Sequence, residues 1–191
     1  IRGKQRVFDA HEYFTEVPEV VDRPLVKAVW SMVARGILPF YKHAYTVGPA
    51  LAKIFEQQYG LPFEVIRNVA SRSTAVPEQK AHHKPPTEKI LLYQGALNEG
   101  RGLEAAISAM QHIENVRFVL AGEGDLSEQL RALTKELHLE HKVHFEGFVE
   151  PGQLKELTAT AWVMLNLLEN RGLSYYYSLS NKFFDGVQAA V

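Results

Sequence analysis

Apolar residues along the chain alternate between two spacings. Short, largely apolar runs at Arg6–Ala10, Ala44–Val47, Phe63–Ile66, Ile90–Tyr93, Val116–Leu120, Val143–Phe145 and Trp162–Leu168 have the length and composition of buried strands. Between them, apolar positions recur three and four residues apart, as on one face of a helix. Leu25, Val26, Val29, Trp30, Val33, Ile37 and Leu38 form the first such series, with Pro24 suited to its first turn. A second opens at Pro49, runs through Leu51, Ile54 and Phe55 and ends near Gly60. Leu103, Ala106, Ile107 and Met110 make a third, and Leu126, Leu130, Leu133 and Leu137 a fourth. Pro151 and Gly152 open a fifth through Leu154 and Leu157. Phe14 to Pro24, with its prolines and acids, reads as a loop.

Strands alternating with helices predict an α/β chain with parallel sheets. Residues 70–88 interrupt the alternation with prolines and polar residues, and read as a linker. Its His82-His83 pair has no third ligand at a useful spacing, so a solvated linker accounts for it better than a metal site. Two α/β domains are therefore expected, over 1–69 and 89–191. The second holds four strand–helix units with short connections, the pattern of a doubly wound domain. The chain opens at Ile1 without Met and stops at Val191 inside or just beyond a helical segment. These ends suggest a piece of a longer protein.

Composition removes several classes of function. A net charge of −1 over 191 residues gives no electrostatic basis for binding nucleic acid. The absence of cysteine excludes disulfides and thiolate metal sites, and fits a reducing compartment. No apolar run approaches the ~18 residues of a membrane span.

Candidate chemistry collects at predicted strand ends, where open α/β sheets bind ligands. His11 and Glu12 follow the first strand, where a surface or capping role is the competing explanation. Gly95 to Gly102 lies between a strand and a helix, and Arg101 within it could hold phosphate oxygens in pairs. This loop is neither a Walker A sequence nor a Gly-x-Gly-x-x-Gly fingerprint. Gly122-Glu123-Gly124-Asp125 is either a turn lining a nucleotide pocket or a plain connection, and it lacks a third glycine for NAD. His138, His141 and His144 step by three but straddle a helix end, a turn and a strand, which argues against a shared metal. The stretch from Leu165 to Val191 runs from Glu169 through Gly172 and three tyrosines into an amphipathic segment carrying Asn181, Lys182 and Asp185. Two carboxylates at such a point suit the hydroxyls of a nucleotide-sugar, or else cap a helix and meet solvent.

Asp9-Ala10-His11-Glu12, Arg67-Asn68-Val69, Gly95 to Gly102, Val119 to Gly124 and Glu169 to Asp185 occur in an order that resembles glycosyltransferases with two Rossmann-like domains, the GT-B fold. The chain most resembles the bacterial members of glycosyltransferase family 4, often called group 1. The resemblance implies transfer of a sugar, with retention of anomeric configuration, from a nucleotide-diphosphate sugar to an acceptor hydroxyl. No metal or other cofactor is implied as a requirement. The acceptor would be a glycan, a lipid-linked glycan or a small molecule. The implied location is the cytoplasm, with peripheral association at the inner membrane face left open.

Matched residue by residue, the resemblance makes Arg101 a diphosphate-binding cation and places Glu169 near the donor sugar. Gly172, Leu173 and Ser174 become the turn that meets sugar and diphosphate, and Asp185 the acid for ribose hydroxyls. His11 corresponds to a histidine contacting the donor sugar. Gly95, Gly102 and Gly122 line the donor side. The match also implies that the first domain lacks its first half and the second its last elements, and there are departures. Ala96 stands where the family often has Arg, and the sixteen positions between Glu169 and Asp185 exceed its usual spacing. The second acid is Asp, and Ser180, Gly186 and Ala190 replace an expected Pro, aromatic and Gly. A GT-B epimerase, a phosphorylase and a non-catalytic sugar-nucleotide-binding subunit are the alternatives.

Overall fold

The computed structural model describes residues 4–69, 89–189 and 191. The expected linker, with His82 and His83, and the departure at Ala190 lie outside the described residues. The chain divides into two compact units, Ile1–Asn68 with Asn170–Leu179, and Val69–Glu169 with Ser180–Val191.

In the first unit the strands are β1 (Val7–Ala10), β2 (His43–Thr46) and β3 (Glu64–Val65). They form a parallel sheet in the order β1-β2-β3, with Val7 opposite His43 and Tyr45 opposite Glu64. The stretch expected to be a loop contains a short helix, α1 (Pro18–Val21), whose Pro18 sits in a first-turn position that lacks a hydrogen-bond requirement. Then come α2 (Pro24–Ile37) and α3 (Pro49–Tyr59). Gly60 closes α3 in the left-handed conformation (φ 65°) and donates its N–H to the Glu56 carbonyl. The core is aromatic. Phe55 is fully buried, with Tyr13 edge-on at 5.2 Å and Phe63 at 5.0 Å.

The second unit is built on β4 (Lys89–Gln94), β5 (Val116–Ala121), β6 (Val143–Gly147) and β7 (Val163–Met164). Its helices are α4 (Leu103–Ala109), α5 (Ser127–Glu136), α6 (Pro151–Thr160) and α8 (Asn181–Ala189); α7 (Leu173–Tyr176) groups with the first unit. All pairings are parallel, in the order β6-β5-β4-β7. Side chains alternate across a strand, and this alternation separates two cores. Tyr93, Phe118 and Leu120 pack with Leu103, Ile107 and Leu130, whereas Leu92, Val119 and Ala121 pack with Leu154 and Leu157. The central strands are thus covered on both faces, which explains their continuous apolar runs.

One expectation needs correcting. The last strand spans two residues instead of Trp162–Leu168: Trp162 N–H bonds the Ile90 carbonyl and Leu165 N–H the Leu92 carbonyl, each at 2.8 Å, and beyond Leu165 no pairing with β4 continues. Residues 170–179 pack on the first unit, where Arg171 meets Asp22 at 2.9 Å, Gly172 backs onto the Glu16 carbonyl and Tyr177 packs against the aromatic core.

Candidate functional site

The strand order of the second unit fixes where a ligand would sit. From β4 the chain moves one way to β5 and β6, then returns to β7 on the other side of β4. The carboxyl ends of β4 and β7 therefore flank a topological switch point, the usual crevice of such sheets. The loop after β4 carries Gly95, Arg101 and Gly102, and the segment after β7 carries Glu169. These two stretches are joined: Glu169 N–H donates to the Gly100 carbonyl at 3.0 Å. A Cβ on Gly102 would lie 3.1 Å from that of Leu167, and Gly102 also has φ 64°, so glycine suits this packing. The carboxylate of Glu169 is exposed.

Helix α8 brings the third group of residues. Asp185 is half-buried, and its Oδ2 accepts a hydrogen bond from Gln94 Nε2 at 2.9 Å. Gln94 is itself buried at the last position of β4, and its Oε1 accepts the Thr158 hydroxyl at 2.8 Å. A chain of hydrogen bonds from α6 through β4 thus aims one carboxylate at the switch point. Three residues earlier on the same helical face, the Lys182 ammonium stands 3.8 Å above the Tyr93 ring. It would also be 3.4 Å from a Cβ at Gly95. The Tyr93 hydroxyl donates to the Ala96 carbonyl at 2.7 Å and so fixes the turn beneath it.

The electrostatics are those of an anion site. Burial, followed by the neighbouring positive charge of Arg101, pushes Lys182 down from its ordinary 10.5 to about 7. Both effects disfavour the protonated amine, and an anion would reverse the second.

Gly122 and Gly124 have a different explanation. A Cβ at Gly122 would collide with the Gly95 carbonyl, and one at Gly124 with the Asn98 side chain and the Leu97 backbone. Their turn interlocks with the loop after β4: Leu97 N–H bonds the Glu123 carbonyl at 3.2 Å, and Leu126 N–H the Leu97 carbonyl at 2.9 Å. Gly122 therefore supports the Gly95 loop from behind. The Ser127 hydroxyl, helped by Arg131, holds the Glu123 carboxyl below its usual range.

In the first unit, His11 lies just past β1, exposed, with Nε2 2.8 Å from Asp9 Oδ2. The Tyr45 hydroxyl donates to the same oxygen at 2.6 Å, and that bond raises the tyrosine above its ordinary pKa. Asp9 and His11 border a cavity of about 440 Å³ walled by Phe8, Phe14, Trp30 and Ile37. Gly172, Leu173 and Ser174 also belong to this unit. Gly172 has φ 98° and would bring a Cβ to 2.5 Å from the Glu16 carbonyl, and Ser174 is buried. The expected site residues therefore fall into two sets. Gly95, Arg101, Gly102, Gly122, Glu169 and Asp185 share the second unit, while His11 and Gly172–Ser174 belong to the first. Sequence reasoning assigned no role to Gln94, Thr158, Tyr93 or Lys182. The spacing of Lys182 and Asp185 was visible, but only the sheet order shows what their shared face meets. Among the described residues, no group of three His, Asp or Glu could hold a metal ion.

This parallel α/β architecture, with its polar switch point, is that of GT-B glycosyltransferases. The profile of glycosyl transferases group 1 matches residues 76–174, and the chain belongs to that family. It is 40% identical over 81 residues to an uncharacterised glycosyltransferase of Methanocaldococcus jannaschii, covering 41% of this chain and 21% of that protein. It is 32% identical over 98 residues to the lipopolysaccharide core biosynthesis glycosyltransferase LpsD of Rhizobium meliloti, covering 51% and 29%. Among solved structures, HepE of Anabaena superposes over 97% of this chain and 51% of its own, with a TM-score of 0.64 at 16% identity. The chain thus spans between a fifth and a third of the length of these two curated relatives.

Proposed function

We propose that the protein is a retaining glycosyltransferase of family 4 that moves a sugar from a nucleotide-diphosphate sugar to an acceptor hydroxyl. The observation that carries this reading is the switch point itself, where the loop bearing Arg101 leaves β4 and Gln94, the last residue of that strand, holds the Asp185 carboxylate in place. A cation there suits the diphosphate, and an anchored carboxylate suits vicinal ribose hydroxyls. Residues 89–191 would be the donor side and residues 1–69 the acceptor side.

In this reading the bond from the anomeric carbon to the diphosphate oxygen breaks, and a bond to the acceptor oxygen forms on the same face. The acceptor proton passes to the leaving phosphate. Negative charge grows on the diphosphate, so Arg101 acts most strongly at the transition state. Glu169 faces the donor sugar. The reaction as read here has no metal requirement. UDP, present with HepE in the fold neighbour, is the first nucleotide to test. LpsD, by its name, works in lipopolysaccharide core synthesis, which makes building a glycan or lipid-linked glycan the working assignment.

The test is donor turnover by the full-length protein with anomeric analysis of the product. Arg101→Ala and Glu169→Ala should each lower kcat at least a hundredfold, on the scale of losing one transition-state donor. Near-normal turnover in both variants, or a product of inverted configuration, contradicts the reading.

A further inference from the structure

We infer that Lys182 is the second diphosphate-binding cation of the donor site, working beside Arg101, and that α8 carries both polar anchors of the donor. This rests on the donor reading above and extends it to a residue on a different element from the loop that bears Arg101.

The geometry supports it in three ways. First, the Lys182 ammonium lies 3.8 Å above the face of Tyr93 and against Gly95, the first residue after β4. A glycine there leaves the amine close to the backbone at the crevice floor, where a phosphate would approach. Second, a lysine that only needed a favourable surface position would extend into water. Here it is drawn in beside another cation, and burial and the Arg101 charge lower its pKa. The ring face offsets part of that cost, and a bound polyanion would offset more. Third, Lys182 and Asp185 are three apart on α8, about 4.5 Å along its axis. That step is comparable to the reach from a ribose ring to its 5′-phosphate. Asp185 is aimed by Gln94, and the Lys182 amine by Tyr93, so adjacent β4 residues position both ends of the pair.

Among the groups facing Lys182, Arg101 comes from the loop after β4 and Tyr93 from β4 itself; on its own helix, Asp185 is engaged by Gln94.

The experiment is calorimetric titration of the full-length protein and its Lys182→Met, Lys182→Gln and Lys182→Arg variants with UDP, GDP and ADP. The matching nucleoside is then titrated for whichever diphosphate binds. A charge-assisted bond of ordinary strength predicts a tenfold to hundredfold loss of diphosphate affinity in the Met and Gln variants. Nucleoside affinity should be unchanged, and Lys182→Arg should keep most of the diphosphate affinity. The ratio of diphosphate to nucleoside affinity is read within each folded variant, so a general loss of stability does not alter it. An unchanged ratio in both neutral variants overturns the role of Lys182 and leaves the donor reading standing. Failure of the unaltered protein to bind any of the three diphosphates overturns both.

Discussion

Leu25 and Leu103 both sit at apolar positions of helices predicted from the same periodicity, and they end in opposite environments. Leu103, at the start of α4, is fully buried against β4 and β5. Leu25, in the first turn of α2, is 83% exposed, and Val29, Trp30 and Met32 on that helix are more than half exposed. The helical period reports that a face is apolar and is silent about what covers it. In the second unit, helices on both sides of a central sheet cover the apolar faces. In the first unit, much of the apolar surface of α2 is open among the described residues.

The sharpest way to break this contrast is to cut into the second unit's core. Phe118→Ala should cost about 3–5 kcal/mol in urea unfolding, the range for deleting a buried aromatic ring. Next comes the interlock behind the Gly95 loop. Gly122→Ala forces a Cβ into the Gly95 carbonyl at φ 143°. It should cost about 1–3 kcal/mol through backbone strain alone, and should weaken donor binding as the loop shifts.

A pH experiment probes the buried cation. Lys182 titrates near 7 when folded and near 10.5 when unfolded. Between those values the unfolded chain holds more protons, so ligand-free stability should rise as pH increases through that window. Lys182→Met should remove that rise and raise stability at or below pH 7. A flat profile in the unaltered protein would show the amine to be well solvated.

The smallest effect belongs to α2. Leu25→Ala and Met32→Ala should each change unfolding by no more than about 0.5 kcal/mol. A loss of core size at either position would mean that another surface covers that face.

The strand–helix alternation was legible because both periods appear clearly in the sequence, and the apolar runs place β4, β5 and β6 but stop one or two residues short of their ends. The boundary after Trp162 was not. Leu165 to Leu168 stays apolar although the chain leaves the sheet there, since Leu167 packs on Gly102 instead of pairing with β4. The assignment of 170–179 to the first unit was equally hidden, because it depends on Gly172 meeting a carbonyl over 150 positions earlier. For the site, Arg101, Glu169 and Asp185 were visible as charged residues at strand ends. Gln94 was not, because a glutamine closing an apolar strand gives no sign of its partner until α8 is placed. Gly122, read from sequence as a ligand glycine, has a sufficient reason in packing.

The proposed donor site is the β4–β7 switch point of the second unit. Amide hydrogen exchange of the full-length protein, with and without the nucleotide-sugar it binds best, tests this directly. The prediction is ligand-dependent protection of residues 95–102 and 181–185, lost in Arg101→Ala. Protection confined to other elements, such as β6 and α5, would contradict it.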